Sequence, residues 1–295
     1  MASAELTKLI AAKRSNPYTA EKTVADLRRE ADSRIDDSIL PSATHYESVD
    51  ANGVSCEWIQ TPGAMTDKVF YFIHGGGYYR GTVASSRSPA AEIARACGVR
   101  VLSVDYRLAP EHPFPAAVDD VVCAYQWLLD QGIANDKIVV GGISAGGGLT
   151  GALLLALKAS GAPMPAGAVP MSPWMDMTQG AETYASKAAL DPSISKEYLD
   201  RMAALYVPDG NVRQPLASPN FGDLSGLPPQ LVQVGSAEVL LDDSIEYTRR
   251  AALANSRVTL EIWDDLIHGW HGSPQLPETH QAIRQIARFF ADVTD

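Results

Sequence analysis

Short runs of β-branched and aromatic residues alternate along the chain with longer stretches whose apolar positions recur at helical spacing. Residues 54–60, 68–73, 99–104, 137–141, 167–171, 230–234 and 259–263 read as strands. Several are apolar without interruption, as strands buried on both faces of a parallel sheet should be. Residues 86–96, 116–130, 145–160, 242–254 and 277–293 read as helices. In 116–130, the residues Val118, Val121, Val122, Tyr125, Leu128 and Leu129 fall on one face. Strand and helix in alternation predict an α/β fold with a mainly parallel sheet.

Two blocks break the alternation. Residues 1 to about 42 pattern as helix without strand, and residues 178–215 make a connection longer than an ordinary crossover. Both are expected to form a cap over the C-terminal edge of the sheet, where open α/β folds bind ligands. No flexible linker sets either block apart, so residues 1–295 are expected to form a single domain.

Lys and Arg number 24 against 35 Asp and Glu, a formal net charge of −11. That sign argues against nucleic acid or an anionic membrane surface as the main partner. Cys56, Cys97 and Cys123 are an odd, sparse set without a CxxC spacing, which argues against a disulfide framework and a zinc cluster and fits a reducing compartment. Near the N-terminus no apolar run exceeds residues 9–12, so no secretory signal is read there. The longest apolar stretch, 152–157, stops at Lys158, far short of the ~20 residues of a membrane span. The expected location is the cytoplasm.

Chemistry concentrates after the strands. Gly142-Ile-Ser144-Ala-Gly146 lies between an apolar strand and a helix beginning at Ala145. A serine nucleophile needs such a sharp strand-to-helix turn, and small residues on both sides let the backbone make it. About 0.14 such matches are expected by chance, so the weight comes from the strand before and the helix after. A P-loop is excluded by the missing Lys-Ser/Thr ending. His74-Gly75-Gly76-Gly77 follows another strand and is far more specific, at about 0.003 matches by chance. Acyl transfer builds negative charge on a carbonyl oxygen, and glycine N–H groups can face a cavity without a Cβ in the way. The N–H groups of Gly75, Gly76 and Ala145 are the expected oxyanion-hole donors.

A serine needs a base, and the base an orienting acid. His268 follows the last strand, with His271 three residues on as its rival, while His45, His112 and His280 lie in ordinary structural settings. Glu238, Asp242 and Asp243 follow the preceding strand. The chain order Ser144, Glu238, His268 is that of nucleophile, acid and base in α/β-hydrolases. Tyr78, Tyr79, Trp174 and Trp270 are read equally as pocket wall or as core.

With HGGG at 74–77, Asp105-Tyr-Arg-Leu-Ala-Pro-Glu-His-Pro-Phe-Pro-Ala116, Gly142-Ile-Ser-Ala-Gly146 and Ser172-Pro-Trp-Met-Asp176 in this order, the chain resembles the hormone-sensitive lipase family of α/β-hydrolases, in particular its bacterial-type esterases. The resemblance covers about residues 68–272. It implies an eight-stranded sheet with one antiparallel strand near its start, a two-part cap, and carboxylester hydrolysis without a cofactor. It carries the nucleophile onto Ser144, the base onto His268 and the oxyanion hole onto Gly75, Gly76 and Ala145. His74, Asp105 and Arg107 become structural residues that hold loops beneath the site. The family's acid position is usually Asp and here is Glu238. Register with Gly235 favours Glu238 over Asp242 as the acid.

The implied activity is that of a serine carboxylesterase acting on short- to medium-chain acyl esters through an acyl-enzyme. The alternatives are an amidase or lactonase of the same fold, and a non-catalytic ligand receptor like the gibberellin receptors of plants. The retained His268 argues against the receptor. A small-molecule ester is the expected partner, and an edge strand with the last helix offers a homodimer surface.

Overall fold

The computed structural model describes residues 2–15 and 22–295; residues 1 and 16–21, which fall inside the first predicted cap block, lie outside the described residues. Eight strands form one sheet: β1 (His45–Ala51), β2 (Val54–Gln60), β3 (Met65–Ile73), β4 (Val99–Val104), β5 (Ile138–Ile143), β6 (Gly167–Met171), β7 (Gln230–Gly235) and β8 (Val258–Trp263). Their spatial order is β1-β2-β4-β3-β5-β6-β7-β8. Only β2 runs against the others, pairing antiparallel with both β1 and β4.

Strand β1 is absent from the sequence reading. Its side chains are mostly exposed, and it pairs with β2 alone at the sheet edge, so no apolar period marks it. A local signal was present nonetheless: Asn52-Gly53, both at positive φ, closes the hairpin that sets Ala51 opposite Val54.

Among the described residues the α-helices are α1 (Ala4–Ser15), α2 (Val24–Asp32), α3 (Arg87–Cys97), α4 (Ala116–Asp130), α5 (Ala145–Ser160), α6 (Thr183–Ser186), α7 (Lys196–Tyr206), α8 (Leu241–Leu253) and α9 (Pro277–Thr294). Alternation along β3 shows how the layers form. Val69, Tyr71 and Ile73 pack on one face with Val121 and Tyr125 of α4 and Leu149 and Leu153 of α5. Phe70 and Phe72 face the other way, onto Ile93 of α3 and Ile286 and Phe290 of α9. The result is a three-layer α/β/α sandwich whose central strands are buried on both faces.

The two strand-free blocks lie against this sandwich. Leu6 of α1 packs with Leu266, Trp270 and Leu276. Arg28 of α2 donates from Nε to the Tyr79 carbonyl at 2.7 Å and from Nη2 to the Ala109 carbonyl at 2.9 Å. Its Nη1 and Nη2 also reach Glu111 at 2.8 and 2.7 Å. Helix α2 is thereby pinned to the end of the glycine loop and to the 105–116 block. Arg201 of α7 reaches back to the Lys22 carbonyl at 2.9 Å, which joins the second block to the first. No helix among the described residues is long and apolar enough to cross a membrane.

Because β3, β5, β6, β7 and β8 are parallel neighbours, the segments that leave their C-terminal ends gather on one edge of the sheet. Those segments begin at His74, Ser144, Ser172, Ser236 and Asp264.

Candidate active site

Ser144 stands between β5 and α5 with φ 59° and ψ −116°, a conformation that costs a non-glycine residue about 1–3 kcal/mol. Its backbone is held on both sides. The Ser144 N–H donates to the Met171 carbonyl at 2.9 Å, and its own carbonyl accepts from Gly148 and Trp174 at 3.0 and 3.1 Å. The flanking glycines are required by contact: a Cβ on Gly146 would lie 2.1 Å from the Ile73 carbonyl oxygen, and one on Gly142 would lie 2.5 Å from it. The helix start can press onto the end of β3 only without those side chains.

The glycine loop meets this turn directly. A Cβ on Gly75 would lie 2.7 Å from the Ile143 carbonyl oxygen, and 3.4 Å from the Ser144 Cβ. Gly76 and Gly77 sit at φ 121° and 63°. Among the described residues, the N–H groups of Gly75, Gly76 and Ala145 donate to no protein acceptor, so three donors beside Ser144 stand available. Beneath them His74 is buried, stacked on Tyr106 with 4.1 Å between ring centroids, and its Nδ1 meets the Gly75 carbonyl at 2.8 Å. Tyr106 also donates to the His74 carbonyl at 3.1 Å. The block predicted to hold loops does so: Asp105 accepts from the Val83 N–H at 3.2 Å, and Arg107 makes a two-pronged pair with Asp120, with contacts of 2.8–3.0 Å.

Glu238 and His268 come from two loops that are zipped together. Ser236 donates to the Trp263 carbonyl at 2.9 Å, and Ala237 to the Leu266 carbonyl at 3.2 Å. The Ser236 hydroxyl accepts from the Asp265 N–H at 2.9 Å. Glu238 is fully buried, and its Oε1 accepts from the Ser172 hydroxyl at 2.6 Å and the Gly235 N–H at 2.7 Å. Its Oε2 meets His268 Nδ1 at 3.0 Å, and His268 Nε2 meets Ser144 Oγ at 2.9 Å. Three side chains distant in sequence thus form one continuous hydrogen-bonded chain.

The family described as alpha/beta hydrolase fold matches residues 70–272, most of this chain. A crystal structure of an esterase from the bacterial hormone-sensitive lipase family superposes with a TM-score of 0.96 at 46% identity, over 100% of both chains. The chain belongs to the hormone-sensitive lipase family of α/β-hydrolases. Curated relatives of this hydrolase include an acetyl-hydrolase of Streptomyces hygroscopicus, 41% identical over 81% of this chain and 80% of the relative. An esterase of Acinetobacter venetianus is 38% identical over 80% of this chain and 78% of its own.

Other candidates of the hydrolase lie elsewhere. Asp242 does not meet the imidazole; its Oδ2 accepts from the Thr183 N–H at 3.1 Å. Asp243 is fully enclosed, and its carboxylate accepts from the N–H groups of Met175 and Asp176, both at 2.9 Å, and from the Tyr184 hydroxyl at 3.0 Å. Burial raises its pKa well above the ordinary carboxylate value. His271 is buried with Nε2 3.2 Å from Gln233 Oε1, and burial, with His268 nearby, pushes it down to about 3. It stays neutral at ordinary pH. Tyr78, Tyr79, Trp174 and Trp270 are all core, at 2% exposure or less.

One residue near the site carried no sequence signal. Asp191, in the second strand-free block, is buried; its Oδ2 accepts from the Val239 N–H at 3.2 Å and its Oδ1 from the Ser193 N–H at 3.0 Å. Val239 directly follows Glu238, so Asp191 ties that block to the acid loop. Burial pushes its carboxyl up to about 6; Glu238 adds to the rise and His268 opposes it.

Proposed function

We propose that the chain is a serine carboxylesterase that hydrolyses short- to medium-chain acyl esters through an acyl-enzyme. Ser144 Oγ attacks the ester carbonyl carbon as His268 Nε2 takes its proton. The developing oxyanion is met by the N–H groups of Gly75, Gly76 and Ala145. Glu238 holds His268 with Nδ1 protonated and stabilises the imidazolium. The imidazolium then protonates the leaving alcohol, and water, deprotonated by the same imidazole, cleaves the acyl-enzyme to release the acid.

The observation that carries this reading is the unbroken relay, with 3.0 Å between Glu238 Oε2 and His268 Nδ1 and 2.9 Å between His268 Nε2 and Ser144 Oγ. The names of the relatives, esterase and acetyl-hydrolase, support the same substrate class. The segments 1–42 and 178–215 act as a cap on a single domain, a reading supported by the bond from Arg201 to Lys22 and by Arg28. The edge strand β8, with Ile262 46% exposed, supports a homodimer formed through that edge and α9.

The test is turnover of p-nitrophenyl acetate, butyrate and octanoate beside an anilide and a lactone. Ser144→Ala and His268→Ala are each expected to lower kcat on the esters by about 10⁴-fold or more while circular dichroism and Tm stay native. Undiminished turnover in both variants, or a preference for the anilide or lactone, overturns the reading.

A further inference from the structure

A cavity of about 380 Å³ lies where α1 and α2 meet the glycine loop and the segment before α7, lined among others by Lys13, Lys22, Glu30, Arg34, Arg80 and Tyr198. Among the described residues, four cations and one carboxylate line it, in a chain whose formal charge is −11. Lys22 is taken up by Glu30 at 2.6 Å. Arg34 and Arg80 both lie within electrostatic reach of Lys13; Asp191 also reaches Lys13 and Glu30 reaches both arginines, but among the described residues none of the three cations forms a close ion pair with a carboxylate. Burial, with Arg34 and Arg80 beside it, lowers the Lys13 pKa below its ordinary value. Like charges crowded in a part-buried site repel unless an anion joins them.

The cluster is tied to the catalytic loops. Arg80 ends the turn that begins at Gly76: its N–H donates to the Gly76 carbonyl at 3.2 Å, and a Cβ on Gly76 would lie 2.1 Å from the Arg80 carbonyl oxygen. The Arg80 guanidinium lies 5.5 Å from the Tyr79 ring centroid and 5.9 Å from that of Tyr198, which orient it. Ser193, also in the lining, stands two residues after Asp191, whose carboxylate holds the N–H next to Glu238. The cavity is thus linked through Arg80 to the oxyanion-hole loop and through Ser193 and Asp191 to the acid loop.

We infer that this cavity receives the anionic end of the substrate, so that the preferred esters carry a free carboxylate remote from the scissile carbonyl, held by Lys13, Arg34 and Arg80. The inference rests on the esterase reading and adds to it a substrate class, the monoesters of dicarboxylic acids and esters of hydroxy acids. Guanidinium groups suit a carboxylate because they bind it in a two-pronged geometry, and the burial of Lys13 strengthens its contact.

The test compares kcat/KM for p-nitrophenyl monoesters of succinate, glutarate and adipate with their neutral methyl-capped counterparts, and for acetyl esters of hydroxy acids with their methyl esters. The first pair probes a carboxylate on the acyl side, the second one on the alcohol side. In the wild type the anionic member of at least one pair is expected to be favoured about tenfold or more. That ratio should fall toward one in Lys13→Gln/Arg34→Gln and in 0.5 M salt, and should rise in Glu30→Gln, which removes the competing carboxylate. A wild-type ratio of one or below on both sides, or a ratio unmoved by the substitutions, overturns the inference. Free glutarate should inhibit the neutral ester competitively; an effect on kcat alone would assign the cavity to a separate effector and also overturn it. If no ester is hydrolysed, the esterase reading itself falls. Calorimetric titration with glutarate then judges the cavity alone: binding lost in Lys13→Gln/Arg34→Gln supports an anion site, and no binding to the wild type refutes it.

Discussion

Replacing Glu238 by Gln removes a charge and almost no volume, and the surrounding hydrogen bonds fix how the imidazole responds. The Oε1 position accepts from two donors, the Ser172 hydroxyl at 2.6 Å and the Gly235 N–H at 2.7 Å. If the Gln amide nitrogen turned toward them, the buried Gly235 N–H would lose its acceptor, at about 1–3 kcal/mol. The oxygen therefore stays on Gly235 and the NH₂ faces His268 Nδ1, now 3.0 Å from a donor instead of an acceptor. The imidazole answers by holding its proton on Nε2, where it faces Ser144 Oγ and cannot accept the hydroxyl proton. The wrong tautomer, with loss of imidazolium stabilisation, is expected to lower kcat by about 10³–10⁴-fold, or about 4–5 kcal/mol of transition-state stabilisation. KM should change little, because Glu238 is fully buried behind the histidine. The assay is steady-state hydrolysis of p-nitrophenyl butyrate at pH 8, with Tm measured on the same samples. Asp242→Asn is the matched control, since an Asn oxygen can still accept from the Thr183 N–H, and its kcat should stay within about threefold of wild type. A Glu238→Gln enzyme within tenfold of wild type, or a larger loss in Asp242→Asn, refutes this assignment of the acid.

Gly75→Ala puts a Cβ 2.7 Å from the Ile143 carbonyl oxygen, so the glycine loop must move away from Ser144; kcat should fall by about 10²–10³-fold, and a loss below twofold would show that the loop donors are not used. Asp191, pushed up to about 6, is charged above that pH and neutral below it, so acidification through pH 6 withdraws an anion from the neighbourhood of His268. Asp191→Asn should therefore lower kcat severalfold at pH 8 and flatten the acid limb of the kcat profile near pH 6, whereas a purely structural Asp191 would change the amplitude and leave the shape intact. The same raised pKa means that the stability Asp191 contributes is present below about pH 4 and is lost as pH rises through about 6, on the order of 3 kcal/mol. Thermal unfolding of wild type and Asp191→Asn between pH 4 and 8 measures it, and parallel curves would contradict it.

The parts of the fold that were readable in the chain are those whose cause is local. Strands such as β5 and β7 are buried almost throughout, so burial itself writes an apolar run into the sequence. Gly142, Ser144, Gly146 and the glycines after His74 were readable because backbone conformation and close approach demand those residues at fixed spacing, whatever surrounds them. Strand β1 escaped because exposed side chains on an edge strand need no apolar period. The helices α6 and α7 were expected only as an unspecified cap segment, since a four-residue helix such as α6 has too few positions to show a period.

What the sequence alone determined, then, is the alternating α/β framework, the nucleophile turn and the glycine loop. Only tertiary structure decided which carboxylate reaches His268. Glu238 lies in the loop after β7 and Asp242 four residues on, in the first turn of α8, and their fates separate through the contacts of Gly235, Ser172 and Thr183, which belong to three different segments. Asp191 and the cationic cavity were invisible for the same reason. Lys13, Arg34 and Arg80 are far apart along the chain, and a charge that is unremarked in its own segment acquires chemistry only when folding removes water and brings like charges together.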